Sequence, residues 1–306
     1  MDRQSHRRLT VALVIASALS LLAGASGVAQ AGSSGGSSTL LELRPVGSTH
    51  SDLGYVEYLP PSYRSGGSTS SPLLLFLHGY GESGAGTTDE LPLLYSTGIP
   101  QLLAEDRWPG SRPFVVLAPQ NPWETDDTIY GDCLAGEPRF LGSCLMRAQH
   151  NNGHPPDAAY CFTPNEVNGF VIYALRTYNV DPQRVYVTGL SCGGFAAWEF
   201  ASQHPRRVAA MAPIAGEGRP ATHAAGCRLA RVPTWAFHGA LDATVNPRGS
   251  TGPVRLMNRC ANVADARATV YPDADHGDPI EPWSRTYDLS AGHNIYRWML
   301  KYDTGS

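Results

Sequence analysis

An α/β fold, with a mostly parallel sheet covered by helices on both faces, is predicted by three features of the sequence. Short apolar runs bounded by turn residues alternate with segments of helical periodicity. One of those runs ends in a serine bracketed by glycines, and a helical pattern opens immediately after it. The chain, 306 residues long and 42% hydrophobic, is large enough to bury one full core.

The alternation begins after an N-terminal stretch of a different kind. Arg3, Arg7 and Arg8 precede an apolar run over 9–23, and Ala29-Gln30-Ala31 has the small-x-small pattern of a cleavage site. The run is shorter than the roughly 20 residues a spanning helix needs. Residues 1–31 therefore read as an export signal that leaves no stable membrane anchor, and the protein is expected to be secreted, extracellular or periplasmic. A Gly/Ser linker follows at 32–38. Residues 39–306 then read as a single domain. Within it, buried strands are expected at 55–59, 73–77, 114–118, 185–188, 208–214, 234–237 and 268–271. Helices are expected at 165–178, where Val167, Phe170, Val171, Ala174 and Leu175 share a face, and at 194–203, 254–262 and 292–302.

The segment at about 121–164 interrupts this pattern. It holds Cys133, Cys144 and Cys161, several prolines, and the aromatic residues Trp123, Tyr130 and Phe140. A long irregular stretch inside a compact domain is usually functional or disordered, and three cysteines favour order. The segment leaves the C-terminal end of a strand, the side on which ligands bind in such sheets. Trp123 and Tyr130 are accordingly expected to form a wall of the substrate site.

Charge excludes some functions. With 23 basic against 27 acidic residues, and no basic block, nucleic acid is not an expected partner. Six cysteines in an exported chain imply disulfides. Cys133 with Cys144, Cys227 with Cys260, and Cys161 with Cys192 is one complete pairing. No two cysteines are spaced C-x-x-C, so no metal site is expected.

The chemistry resides in three loops. Gly189-Leu190-Ser191-Cys192-Gly193 is a G-x-S-x-G turn between a strand and a helix, which exposes the serine on a strained backbone next to a helix N-terminus. Serine needs a base oriented by an acid. Asp242 follows the strand at 234–237, and His276 follows the strand at 268–271, giving the order Ser, Asp, His. His238 precedes the acid and reads as a packing or capping residue. His293 is expected in the C-terminal helix, facing away. Asp273, Asp275 and Asp278 read as solvated loop charges. An oxyanion needs two donors. The backbone N–H of Cys192 is one, and the glycine-rich loop His78-Gly79-Tyr80-Gly81 offers the N–H of Tyr80 as the second.

These three regions, Leu75 to Glu82, Val180 to Trp198 and Phe237 to Asp242, resemble α/β-hydrolases of the carboxylesterase, phospholipase and predicted-peptidase type. Secreted feruloyl and acetylxylan esterases and polyhydroxyalkanoate depolymerases share the arrangement. The chain departs from these relatives in Cys192, where they usually carry methionine, alanine or asparagine, and in the size of the cysteine-bearing segment. The resemblance implies a secreted serine hydrolase acting on small-molecule or polymer esters through an acyl-enzyme on Ser191, with no cofactor. A serine peptidase of the same fold and a polyester depolymerase are the alternatives. A non-catalytic binding protein on this scaffold would be expected to lack a triad member.

Overall fold

The central strands are apolar on both sides, so both faces of the sheet must be covered. In β3 (Ser71–Leu77), Leu73, Leu75 and Leu77 enter one core, and Leu74 and Phe76 enter the other. The computed structural model describes residues 41–122, 162–277 and 281–305, all within the compact unit Ser37–Ser306. The proposed export signal and linker lie outside the described residues.

Among the described residues the strands are β1 (Leu41–Arg44), β2 (Tyr55–Tyr58), β3, β4 (Val115–Pro119), β5 (Val180–Leu190), β6 (Ala210–Ile214), β7 (Thr234–Gly239) and β8 (Ala266–Tyr271). They form one sheet in the order β1-β2-β4-β3-β5-β6-β7-β8. The first two pairings are antiparallel, and from β4 through β8 all strands run parallel. One face is covered by α1 (Gly98–Ala104), α6 (Pro282–Tyr287) and α7 (Ile295–Met299), and the other by α2 (Pro164–Thr177), α3 (Cys192–Gln203), α4 (Arg219–Ala225) and α5 (Arg248–Met257). The expected α/β architecture, mostly parallel with helices on both faces, is what forms. Among the described residues no helix is long and apolar enough to cross a membrane.

After β3 the chain moves to one side to form β4 and then returns to the other side to form β5. The order therefore reverses at β3/β5, and the crevice beyond the C-terminal ends of these two strands is where such sheets bind ligands. The loops after Leu77 and Leu190 open into that crevice.

Several elements differ from the sequence expectation for physical reasons. β1 is an edge strand with a half-polar pattern, held by Arg44 on the buried Glu57 of β2 (Nη2 to Oε1 2.8 Å). Three helices, α1, α4 and α6, have only six or seven residues each, too short for a period to register. α5 was expected to begin after Pro253, yet it runs through it. Proline cannot donate to the carbonyl one turn back, and here the Gly249 carbonyl instead accepts the N–H of Gly218 (2.9 Å), so no backbone group is orphaned. α2 begins at Pro164 because Thr163 and Glu166 form a reciprocal capping box. α7 is shorter than expected. It starts after Asn294, whose side chain caps it by accepting from Arg297 N (2.9 Å). His293 is thus not helical but precedes the cap, with its ring against Trp235, Phe237 and Tyr271.

Cys227 and Cys260 are disulfide-bonded across 33 positions, linking the segment before β7 to the end of α5. This is the pairing expected from sequence. Cys192 is also in a disulfide. The cysteines at 133, 144 and 161 lie outside the described residues. Closing a loop of this length restricts the unfolded chain, typically by about 2–4 kcal/mol. Replacing both Cys227 and Cys260 with serine should lower unfolding stability by that amount in urea titrations. A double variant as stable as the parent would show that the bridge contributes nothing.

Candidate active site

The turn after β5 is set by packing. Ser191 has φ 50° and ψ −116°, a conformation that costs a non-glycine residue on the order of 1–3 kcal/mol. It is held by the hydrogen bond from Ser191 N to the Ile214 carbonyl of β6 (2.9 Å) and by the helix that starts at Cys192. Gly193 is required at this turn. A Cβ there would lie 1.9 Å from the Leu77 carbonyl oxygen and 2.6 Å from that of His78. The absence of a side chain lets the serine turn abut the end of β3.

Ser191, Asp242 and His276 are brought together. The Ser191 hydroxyl lies 2.9 Å from His276 Nε2, and His276 Nδ1 lies 2.7 Å from Asp242 Oδ2. The acid and base loops are tied to each other by backbone bonds from Ala240 N to Tyr271 O (2.8 Å) and from Leu241 N to Ala274 O (2.9 Å). The Asp242 carboxylate is buried and saturated. Oδ1 accepts from the N–H groups of Thr244 (3.0 Å) and Val245 (2.7 Å), and Oδ2 faces His276 and His238 (3.2 Å). Burial alone would raise its pKa, but hydrogen bonds from His238 and His276, attraction to His276 and the Val245 N–H outweigh it, holding the group at about 2. It is therefore an anion at any pH near neutrality. With Asp242 accepting, the network assigns the His276 proton to Nδ1 and leaves Nε2 to accept the Ser191 hydroxyl proton.

His238 is the nearest rival for the base. It is fully buried, with Nδ1 at 2.8 Å from Ser250 Oγ and Nε2 at 2.9 Å from the Val245 carbonyl. Both ring nitrogens are engaged, so it supports the acid loop, as its place before the acid suggested. Asp273 is bound bidentately by Arg285 of α6 (2.7 and 2.8 Å), and Asp275 accepts the Gly277 N–H (3.0 Å). Neither therefore contacts His276 as its acid partner, and Asp278 lies outside the described residues.

The loop after β3 is fixed by His78, a contribution that sequence reading missed. Its Nδ1 lies 2.6 Å from the Gly79 carbonyl, and its Nε2 accepts the Asn121 N–H (3.0 Å). The Gly79 carbonyl belongs to the same peptide unit as the Tyr80 N–H, the candidate oxyanion donor, so His78 sets the plane of that peptide. The ring also meets Phe162 edge-on, with centroids 5.0 Å apart. Asn121 and Phe162 flank the cysteine-bearing segment, so both of its ends rest on this histidine. Trp123 and Tyr130, expected to line the substrate site, lie outside the described residues. A short 3₁₀ turn, Tyr80–Glu82, continues the loop.

A second residue missed from sequence is Trp283 of α6, whose indole meets the His276 ring edge-on at 5.5 Å. No local pattern places it there, because the contact depends on how α6 docks. Among the described residues no group of three or more His, Cys, Asp or Glu side chains is placed to hold a metal ion.

Comparison with known proteins bears on the fold. The model of the Dienelactone hydrolase family matches residues 165–301. Over 104 residues the chain is 31% identical to the bifunctional acetylxylan esterase/xylanase XynS20E of Neocallimastix patriciarum, a match that spans 33% of this chain and only 15% of that protein. Over 244 residues it is 24% identical to the probable acetylxylan esterase A of Aspergillus terreus (strain NIH 2624 / FGSC A1156), spanning 69% of this chain and 68% of the relative. A solved thermostable esterase superposes with a TM-score of 0.54 at 22% identity, covering 86% of this chain and 63% of that one.

Burial keeps His78 neutral, lowering its pKa from the usual 6.5 to about 4 despite the hydrogen bond to Gly79. Between those values the unfolded chain binds a proton that the native chain refuses, so stability falls as pH drops from about 6.5 to 4 and is unaffected above. The loss should approach roughly 3 kcal/mol, at about 1.4 kcal/mol per pH unit. His78→Gln keeps one donor and one acceptor but cannot titrate. Its urea-unfolding stability should therefore fall less steeply over this range. Parallel curves for the two proteins would mean that His78 is not the source.

Proposed function

We propose, from the α/β-hydrolase fold of this chain, that it is an exported serine hydrolase that cleaves carboxylic esters through an acyl-enzyme on Ser191. The observation that carries the reading is the unbroken relay from the Ser191 hydroxyl through His276 to Asp242, at 2.9 and 2.7 Å. In this reading Ser191 attacks the ester carbonyl while His276 Nε2 takes its proton. Asp242 holds the imidazole in the accepting tautomer and stabilises the imidazolium that forms. The N–H groups of Cys192 and Tyr80 receive the oxyanion, the first reinforced by the N-terminus of α3. His276 then returns the proton to the leaving alcohol, and water releases the acyl group by the same route in reverse. Trp123 and Tyr130 would line the site on the side of the segment anchored at His78.

Export is supported by the disulfide between Cys227 and Cys260, since such bonds persist in oxidising compartments. The relatives named as acetylxylan esterases make acetylated xylan the first polymer to try.

Ser191→Ala should abolish fluorophosphonate labelling and lower aryl-ester hydrolysis by on the order of 10³-fold or more. His276→Ala should give a loss of similar size. His238→Ala should act mainly on stability, since it removes a buried partner of Asp242 rather than the proton acceptor. Labelling that survives Ser191→Ala, or a His276→Ala variant more active than His238→Ala, would overturn the assignment. Faster turnover of aminoacyl amides than of esters would make the protein a peptidase.

A further inference from the structure

We propose that a cationic groove beside α7 binds a small carboxylate carried on a flat apolar ring, at a site that shares no residue with Ser191, Asp242 and His276. The groove has a volume of about 330 Å³, within the roughly 300–1,000 Å³ range of small-ligand sites. It is lined by Trp235 of β7, by Trp298 of α7, by His293 and Asn294 just before that helix, and by Arg297 and Lys301 within and just after it. Arg267 of the edge strand β8 is the register partner of Trp235 and also lines it.

Charge selects an anion. Among the described residues, none of the side chains lining the groove is acidic. Asp265, which bonds to two of the lining residues, is already saturated. It accepts from Arg267 Nε (2.9 Å) and Nη2, from Trp298 Nε1 (2.9 Å) and from the Tyr302 hydroxyl (2.6 Å). That carboxylate neutralises Arg267 and leaves Arg297 and Lys301 over. Neither of their side chains forms an ion pair or hydrogen bond among the described residues. Both are exposed, and they stand four positions apart, so two unpaired charges border the same groove about one helical turn from each other. The chain as a whole carries −4, so this is a local concentration against the average, and a concave site focuses it.

The rest of the lining selects a ring. The indole N–H of Trp235 donates to Thr269 Oγ1 (3.0 Å) and that of Trp298 to Asp265, so both indoles offer the groove only carbon surface. Trp235 and His293 are half-buried and meet edge-on, with centroids 5.5 Å apart. Trp235 is held in place by Trp298 at 5.6 Å and by the Arg267 guanidinium at 5.0 Å from its ring, so the surface is built before any ligand arrives. Asn294 Oδ1 is committed to the Arg297 N–H (2.9 Å), which leaves its amide N–H₂ as a further donor. A ligand spanning the groove therefore meets apolar rings on one part and cations on another. Acetate would use the cations and leave the rings bare, and a neutral ring would do the reverse.

The test titrates the full chain with benzoate, its neutral counterpart benzamide, and acetate, by calorimetry, in the parent, Arg297→Gln, Lys301→Gln and the double variant. Benzoate should bind more tightly than either other probe, and its affinity should fall with added NaCl. Each single variant should weaken benzoate about two- to fivefold, the range for exposed charges, and the double variant by about the product of the two. Both residues are exposed, so the variants should keep the urea-unfolding stability of the parent. Equal benzoate affinity in the parent and the double variant would overturn the proposal, because the binding would then lie elsewhere. Benzamide or acetate binding as tightly as benzoate, or a parent chain that binds no benzoate at millimolar concentration, would overturn it as well. None of these outcomes depends on the ester-hydrolase reading.

Discussion

The tightest constraint in the molecule is the contact between the turn after β5 and the end of β3. Ser191 adopts φ 50° and ψ −116°, and the chain can sustain that only because Gly193 lets the turn press against the Leu77 and His78 carbonyls. A methyl group at that position would overlap the Leu77 oxygen, separating the two loops that meet at the switch point of the sheet. The same contact determines where His78 sits. His78 then fixes the Gly79–Tyr80 peptide and receives both ends of the cysteine-bearing segment. The position of the nucleophile, the orientation of a candidate oxyanion donor and the attachment of the inserted segment therefore share one packing interaction.

A second constraint fixes the acid and base loops. They leave neighbouring parallel strands, β7 and β8, and are joined by backbone bonds before any side chain is considered. Asp242 can remain an anion in a buried place because four donors converge on it, two from its own loop and two from histidines. The two histidines differ in what remains free. His238 spends one nitrogen on Ser250 of α5 and the other on the Val245 carbonyl, whereas His276 spends one on Asp242 and turns the other toward Ser191. This difference, rather than proximity to the carboxylate, separates the candidate base from its support.

How much was legible in the sequence follows from how local each feature is. Ser191, Asp242 and His276 each follow an apolar run within a few residues, and the glycines around Ser191 mark a turn that side chains would obstruct, so strand ends and turn chemistry suffice to find them. The parallel sheet was legible because its central strands are apolar on both faces. The position of His293 was not, since Asn294 delays the start of α7 and the local pattern does not reveal that the cap wins. The full length of α5 was hidden by Pro253, whose cost disappears only because Gly218, distant in sequence, takes the orphaned carbonyl. The His78 side chain and Trp283 were missed for the same reason: their partners are set by tertiary packing, and neither lies in a repeating pattern.

The placement of these two residues divides the site. His78 sits where the cysteine-bearing segment attaches, beside the candidate oxyanion peptide, so variation at Asn121 or Phe162 bears first on the orientation of that peptide. Trp283 sits against His276, on a short helix pinned to β5 and β8, so variation there bears first on the position of the candidate base. The strained turn at Ser191 lies between them and presses against the backbone of Leu77 and His78. The surroundings of the candidate oxyanion peptide and of the candidate base are thus held by separate elements. Because His78 and α6 are held by different strands and share no partner in their hydrogen bonds, the effects on stability of substitutions at His78 and at Trp283 are expected to combine nearly additively.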